Sequence, residues 1–236
     1  MNLLKNWDNK TWLSSSSYIN SFCKFLLKKK EINKNSRLLD IGCGRGKIFG
    51  SLSRKYKLIN KPIGIDTINH KDVDKSIDFK NINIFHFFKK NKDKFDLIMI
   101  KQTLHLINKD KRIKLIKICK NSLKKNGVLL FLSLDTLDNQ IPCFKLMKKK
   151  LNLYLRRDTK MIKSIYKIFS NKKIYKFKFN VVIKKSEYIL MLKRKYISCL
   201  FDLNNKQINK GIYEIKNFYP NTISFQDILI CLKYKN

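Results

Sequence analysis

The stretch Arg37-Leu38-Leu39-Asp40-Ile41-Gly42-Cys43-Gly44-Arg45-Gly46-Lys47 constrains this chain more than any other. A short apolar run ends in an acid, a glycine-rich turn follows, and Ile48-Phe49-Gly50-Ser51-Leu52 opens a helical pattern. Four of the chain's seven glycines fall between Gly42 and Gly50, so their placement is not background. Glycine reaches φ > 0 and has no Cβ, which lets a ligand lie against the backbone. A helix starting just after the turn points free N–H groups at that ligand. The pattern predicts a nucleotide-cofactor loop at the carboxyl end of a first parallel strand.

Spacing narrows the cofactor. A dinucleotide loop wants G-x-G-x-x-G, and Lys47 stands where its third glycine would be. The stretch from Leu39 to Gly46 instead closely resembles motif I of the class I S-adenosylmethionine-dependent methyltransferases. That resemblance implies S-adenosyl-L-methionine as cofactor. It places the loop backbone of Gly42, Cys43, Gly44 and Gly46 on the methionine part, with Asp40 orienting the ammonium group.

Further landmarks follow in order. Pro62-Ile63-Gly64-Ile65-Asp66 is a short β-rich run ending in an acid about 20 residues past the loop, the ribose position of this architecture. Asp66, followed by Thr67, would accept hydrogen bonds from both ribose hydroxyls. After the third strand the family usually has an acid for the adenine amino group. Asn83 stands there, with Asn81 as the alternative, and an amide oxygen still accepts that bond. Ile84 and Phe85 either flank the adenine or belong to the core.

The segment from Lys94 to His105 resembles motif IV of the same family, F-D-L-I followed by a polar turn and an L-H pair. Asp96 opens a continuous apolar run, as a central parallel strand should read. Lys101 and Gln102 would lie at its carboxyl end, beside the transferred methyl. His105 is either a base near neutral pH or a packing residue. Asn108-Lys109-Asp110 starts the next helix, with Ile113, Ile116, Cys119 and Leu123 on its apolar face and Asn126-Gly127 at its end. Leu123 to Leu130 resembles the family's stretch before strand 5. The resemblance spans roughly residues 36–135.

Beyond it, helical patterns run over about 142–155 and 158–170. Lys173 to Phe179 alternates like a strand with one wet face and continues through Ile183. Helices are expected over Glu187–Ser198 and Asn205–Phe218, and a closing strand over Ile223–Lys233. The Tyr188–Ser198 pattern looks like the substrate-side helix of the small-molecule methyltransferase type 11 group. The expected fold is therefore α/β: a Rossmann-like, seven-stranded, mostly parallel sheet with an antiparallel last strand, helices on both faces and lid helices at both ends. One domain is expected over 1–236, with a lid segment (1–35), a cofactor core (36–135) and a substrate-side part (136–236).

Charge is extreme, with 53 Lys+Arg against 17 Asp+Glu and a net +36. The lysines are spread over nearly every segment, with no arginine-rich tract, which reads as composition rather than as a dedicated nucleic-acid arm. Attraction of anions follows either way. Cys23, Cys43, Cys119, Cys143, Cys199 and Cys231 stand alone, with no C-x-x-C and only three histidines. A zinc site is not expected, and a reducing, cytoplasmic location is. The first residues carry no signal-peptide pattern, and no run approaches the ~20 apolar residues of a membrane helix. Trp7 and Trp12 precede the core, either as the hydrophobic anchor of a helix capped by Ser14 to Ser17 or as part of a lid over the substrate.

A sulfonium methyl is already activated, so such an enzyme mainly places a nucleophile in line with it in a dry pocket. A carboxylate acceptor needs no base. The reading taken forward is O- or carboxyl-methylation of a small anionic metabolite, held by Trp7, Trp12, Arg194 and Tyr196, with His105 as base if the acceptor is a hydroxyl. RNA methylation by way of the basic surface is the alternative, and a non-catalytic cofactor-binding protein the third. No Asn-Pro-Pro-Tyr motif occurs, and Pro142-Cys143 lies past strand 5.

Overall fold

The computed structural model describes Lys5 and residues 8–236, so the expected contact at Trp7 lies outside the described residues. The apolar runs become the centre of one sheet. Its strands are β1 (Leu38–Ile41), β2 (Ile63–Asp66), β3 (Asp78–Asn81), β4 (Phe95–Lys101), β5 (Leu123–Leu134), β6 (Lys172–Lys184) and β7 (Thr222–Lys235), in the order β3-β2-β1-β4-β5-β7-β6. Neighbours from β3 to β5 pair in parallel. β7 is antiparallel to both β5 and β6, so β6 runs with the first five. This is the expected seven-stranded sheet with an antiparallel last strand.

β4 and β5 are buried on both faces, which is why they read as unbroken apolar runs. Leu97, Met99, Val128, Leu130 and Leu132 point into one hydrophobic layer, and Ile98, Ile100, Leu129 and Phe131 into the other. Helices α1 (Ser16–Leu27), α2 (Lys47–Tyr56), α6 (Lys185–Lys193) and α7 (Asn205–Phe218) cover the first layer; α3 (Ile84–Lys90) and α4 (Lys109–Asn121) cover the second. Ser15 caps α1, its hydroxyl accepting from the Tyr18 N–H at 3.2 Å.

Three expectations change. The helical patterns at 142–155 and 158–170 are one helix, α5 (Lys145–Ile168). Its first half buries Met147, Leu151 and Leu155 in one layer and its second half buries Met161, Ile162 and Ile165 in the other. The change of partner interrupts the periodicity without interrupting the helix. Helix α4 ends at Asn121, where the Ser122 N–H and hydroxyl return to the Ile118 carbonyl, so Asn126-Gly127 does not end it. That pair forms a kink inside β5: Phe95 pairs with Leu123, whereas Leu97 pairs with Val128. Helix α6 stops at Lys193 rather than Ser198, and Lys195 turns the chain with φ 53°.

The kink depends on a side chain that is not there. A Cβ on Gly127 would lie 2.8 Å from the carbonyl oxygens of both Lys124 and Phe95, which are backbone and cannot swing away. Asn126 supplies the left-handed residue, φ 61°. Gly127→Ala should destabilise the fold by about 1–3 kcal/mol in urea unfolding, while Asn126→Gly, which keeps the backbone conformation, should stay within about 1 kcal/mol of wild type.

Candidate active site

The sheet order reverses between β1 and β4, which opens a crevice at the carboxyl ends of those strands. The glycine loop lies there, with Gly42, Gly44 and Gly46 at φ 72°, 55° and 68°. Two of the three make room for protein. A Cβ on Gly42 would fall 2.1 Å from the Thr103 hydroxyl oxygen, and one on Gly46 would fall 2.1 Å from Ile77 Cδ1. A Cβ on Gly44 would meet nothing within 4 Å. Gly42 and Cys43 donate their N–H groups to the Ile65 carbonyl at 2.7 and 3.1 Å, which ties the loop to β2.

Asp66, at the end of β2, holds the same loop. Its Oδ2 accepts from the Gly44 N–H at 2.9 Å and its Oδ1 from the Ile68 N–H at 3.0 Å. The buried His70 sits 3.6 Å from Oδ2. Burial pushes this carboxyl up, but the His70 side chain and the two N–H groups outweigh it and hold the group below its ordinary range. Asp40, buried in β1, has no such support among the described residues. Burial lifts it to about 7, the Lys101 ammonium offsetting part of the rise and Asp66 adding to it.

Below the loop opens a cavity of about 940 Å³. It brings together Gly42, Asp66, Thr67, Asn83, Ile84, Lys101, Gln102, His105 and Tyr196 from the expected site residues. Asp40, Cys43, Gly44 and Gly46 do not line it, nor do Trp12 and Arg194. Asn83 also caps α3, its side-chain oxygen accepting from the Phe85 N–H at 2.9 Å, and a second lone pair remains on that oxygen.

Sequence reasoning missed several residues of the wall. Thr103 anchors the far side of the loop contact, its hydroxyl donating to the Lys101 carbonyl at 2.9 Å. Asp158 of α5 is buried and lines the cavity with His105. Burial lowers the imidazole pKa of His105, with Asp158 opposing and Arg157 and Arg112 reinforcing the shift. The neutral ring is therefore favoured near pH 7. Asp158 followed two arginines in a helical pattern, where an acid reads as a surface charge. Asp227, which lies outside the cavity lining and holds Trp12, did carry a signal, as the one acid inside the apolar strand from Ile223 to Leu232.

The N-terminal segment is strapped across this edge. Arg45 of the glycine loop is buried and grips Asp8 with two nitrogens, Nε to Oδ1 and Nη2 to Oδ2, each at 3.0 Å. Trp12 Nε1 donates to the buried Asp227 Oδ2 at 3.1 Å, and the indole meets Phe225 and Tyr196 edge-on at 5.1 and 5.4 Å. Trp12 is thus a hydrogen-bonded core residue. Arg194 caps α6 and, with Trp12, Lys10 and Glu187, faces a separate recess of about 690 Å³ on the other side of the strap. The turn at Lys195 sends Tyr196 to the main cavity and leaves Arg194 on that recess, so the structure does not bring Arg194 and Tyr196 to one site.

The glycines separate by mechanism. Gly44→Ala should cost only the left-handed penalty, about 1–2 kcal/mol. Gly42→Ala should cost about 1–3 kcal/mol more, from the collision with Thr103. Thermal unfolding of the two variants should rank them in that order; equal losses would show that the Thr103 contact relaxes freely.

Among known proteins, the methyltransferase-domain family model matches residues 15–174. Solved structures with similar folds include a SAM-dependent methyltransferase from Archaeoglobus fulgidus, at 17% identity and TM-score 0.54, covering 94% of this chain and 95% of that one. The YcgJ protein of Bacillus subtilis aligns at 16% identity and TM-score 0.55, over 92% of this chain and 98% of that one. The plantazolicin methyltransferase BpumL, solved with SAH, aligns at 15% identity and TM-score 0.51, over 98% and 88%. No curated protein sequence matches the chain. Among the described residues no helix is long and apolar enough to cross a membrane, and no His/Cys/Asp/Glu group could hold a metal ion.

Proposed function

Because the chain belongs to the methyltransferase-domain family, it is an S-adenosylmethionine-dependent enzyme, and we propose that its large cavity takes that cofactor together with a small anionic acceptor. One observation carries the reading. A single cavity runs from Asp66, Thr67, Asn83 and Ile84 to Lys101, His105 and Tyr196, so the nucleotide and acceptor positions share one enclosure. Small-molecule sites fall at about 300–1,000 Å³, and about 940 Å³ leaves room for both ligands.

In this reading Asn83 and Ile84 hold the adenine, Asp66 and Thr67 the ribose, and the loop from Gly42 to Gly46 the methionine part, with Asp40 acting on its ammonium through space. The cofactor supplies an activated methyl. The chain's own work is to place the acceptor and keep water out. Leu134, Leu151, Leu155 and Tyr196 give the acceptor end apolar walls. His105, favoured neutral, is the base for a hydroxyl acceptor, and a carboxylate acceptor needs none. The reading takes 1–236 as one domain, and six unpaired cysteines suit a reducing cytoplasm.

RNA remains the second reading because Lys89, Lys111, Lys114 and Arg157 also line the cavity. Methyl transfer from labelled cofactor to a small-metabolite extract and to total RNA separates the two. The expected outcome is label in a small carboxylate or hydroxy acid. If the acceptor is a hydroxyl, His105→Ala should lose on the order of 10²-fold or more in kcat. Label in RNA alone would overturn the metabolite reading.

Asp40 makes the cofactor reading testable by pH. Its folded pKa is raised, so the unliganded fold holds a proton there that the unfolded chain releases near 4. That stabilisation is lost as pH rises through about 7. A ligand ammonium favours the carboxylate and must displace the proton. Calorimetry should therefore show S-adenosylhomocysteine binding more tightly as pH rises from about 5 to 7 and levelling above it. Asp40→Asn should flatten the profile.

A further inference from the structure

Lys101 ends β4 at the inner wall of the cavity, between the glycine loop contact at Thr103 and the end of β5 at Ser133 and Leu134. The residue is half-buried. Nζ lies 5.4 Å from the centre of the Tyr18 ring and 5.5 Å from that of Phe22, so two aromatic faces fix it from the α1 side. Its hydrogen bond goes to the neighbouring Gln102 Oε1 at 3.2 Å. An ammonium carries three donors, which leaves two for the cavity.

No carboxylate among the described residues comes within ion-pair distance of Lys101. The acids nearest in charge are engaged or neutralised: Asp8 is bound to Arg45, Asp227 accepts from Trp12, and Asp40 is largely protonated below pH 7. A cation partly withdrawn from water with unfilled donors costs free energy unless a ligand meets it. The Tyr18 hydroxyl is fully buried and has Asp227 as its neighbouring acid. The ammonium thus has the chemistry of an anchor, and it occupies the cavity that Arg194 does not reach.

We propose that Lys101 is a carboxylate-receiving residue, pairing its ammonium with a ligand carboxylate at the inner end of the cavity. The inference rests on the cofactor reading above. Two ligands bring a carboxylate here, the methionine part of the cofactor and the anionic acceptor.

Binding measurements with defined probes distinguish the sources. The probes are S-adenosylhomocysteine, which has the carboxylate, 5′-methylthioadenosine, which lacks it, and benzoate added to the S-adenosylhomocysteine complex. Binding of 5′-methylthioadenosine by wild type tests the nucleoside site by itself, and its failure would count against the cofactor reading. If the cofactor's carboxylate is the partner, Lys101→Met should weaken S-adenosylhomocysteine by roughly 10- to 100-fold and leave 5′-methylthioadenosine unchanged. If the acceptor's is, both nucleosides should bind Lys101→Met normally while benzoate binding is lost. In either case Lys101→Arg should recover most of the loss, because the charge remains. Lys101→Met with unchanged affinity for S-adenosylhomocysteine and unchanged or undetectable benzoate binding in both proteins would overturn the proposal.

Discussion

The close approach of the Gly42 backbone to Thr103 is the contact on which the site depends. It joins the end of β1 to the end of β4, the two strands between which the sheet order reverses. Only a residue without Cβ permits it, and only φ > 0 turns the chain away in time to start α2. Asp66 then fastens the free side of the loop through the Gly44 N–H. The glycines therefore shape the crevice mostly by packing against protein. Gly44, where a Cβ would meet nothing within 4 Å, is the one whose conformation packing does not require.

Charge is distributed by the same geometry. The carboxyl edge of the sheet buries Asp40, Asp227, Arg45 and, partly, Lys101. Such groups are expensive without partners. Arg45 and Asp8 solve the problem between themselves with a two-point grip. Asp227 is met by an indole N–H, a neutral donor, and burial keeps its carboxyl above the ordinary range. Asp40 and Lys101 are left to modulate one another through space. The strap from Asp8 to Trp12 is thus held at both ends by buried polar bonds, which fixes the N-terminal segment against the glycine loop and β7.

The core from β1 to β5 could be read from sequence because each strand is a local apolar run and each turn has local chemistry. The position of Asp66 followed from spacing along the chain and those of Asn83 and His105 from the resemblance to the family's motifs, and all three line the cavity. What could not be read depended on partners distant in sequence. Trp12 meets Asp227 across 215 positions, so no local pattern distinguishes a lid residue from a core residue. Helix α5 looked like two helices because its two halves pack on opposite faces of the sheet. Arg194 and Tyr196 are two residues apart, yet a single left-handed residue between them sends them to different recesses.

A net charge of +36 makes an anionic ligand easy to attract and hard to select. Surface lysines act alike on any anion, and salt screens them beyond about 8 Å. They raise the encounter rate without choosing a partner. Selection has to come from a cation partly withdrawn from water and salt, in a cavity whose walls fix the distance to the reacting atom. Lys101 meets that condition: it is half-buried between two rings at the end of a central strand. Lys111 and Lys114 are exposed on α4 at the rim of the same cavity. The same residue type therefore serves two physical roles in one protein, and depth within the cavity separates them.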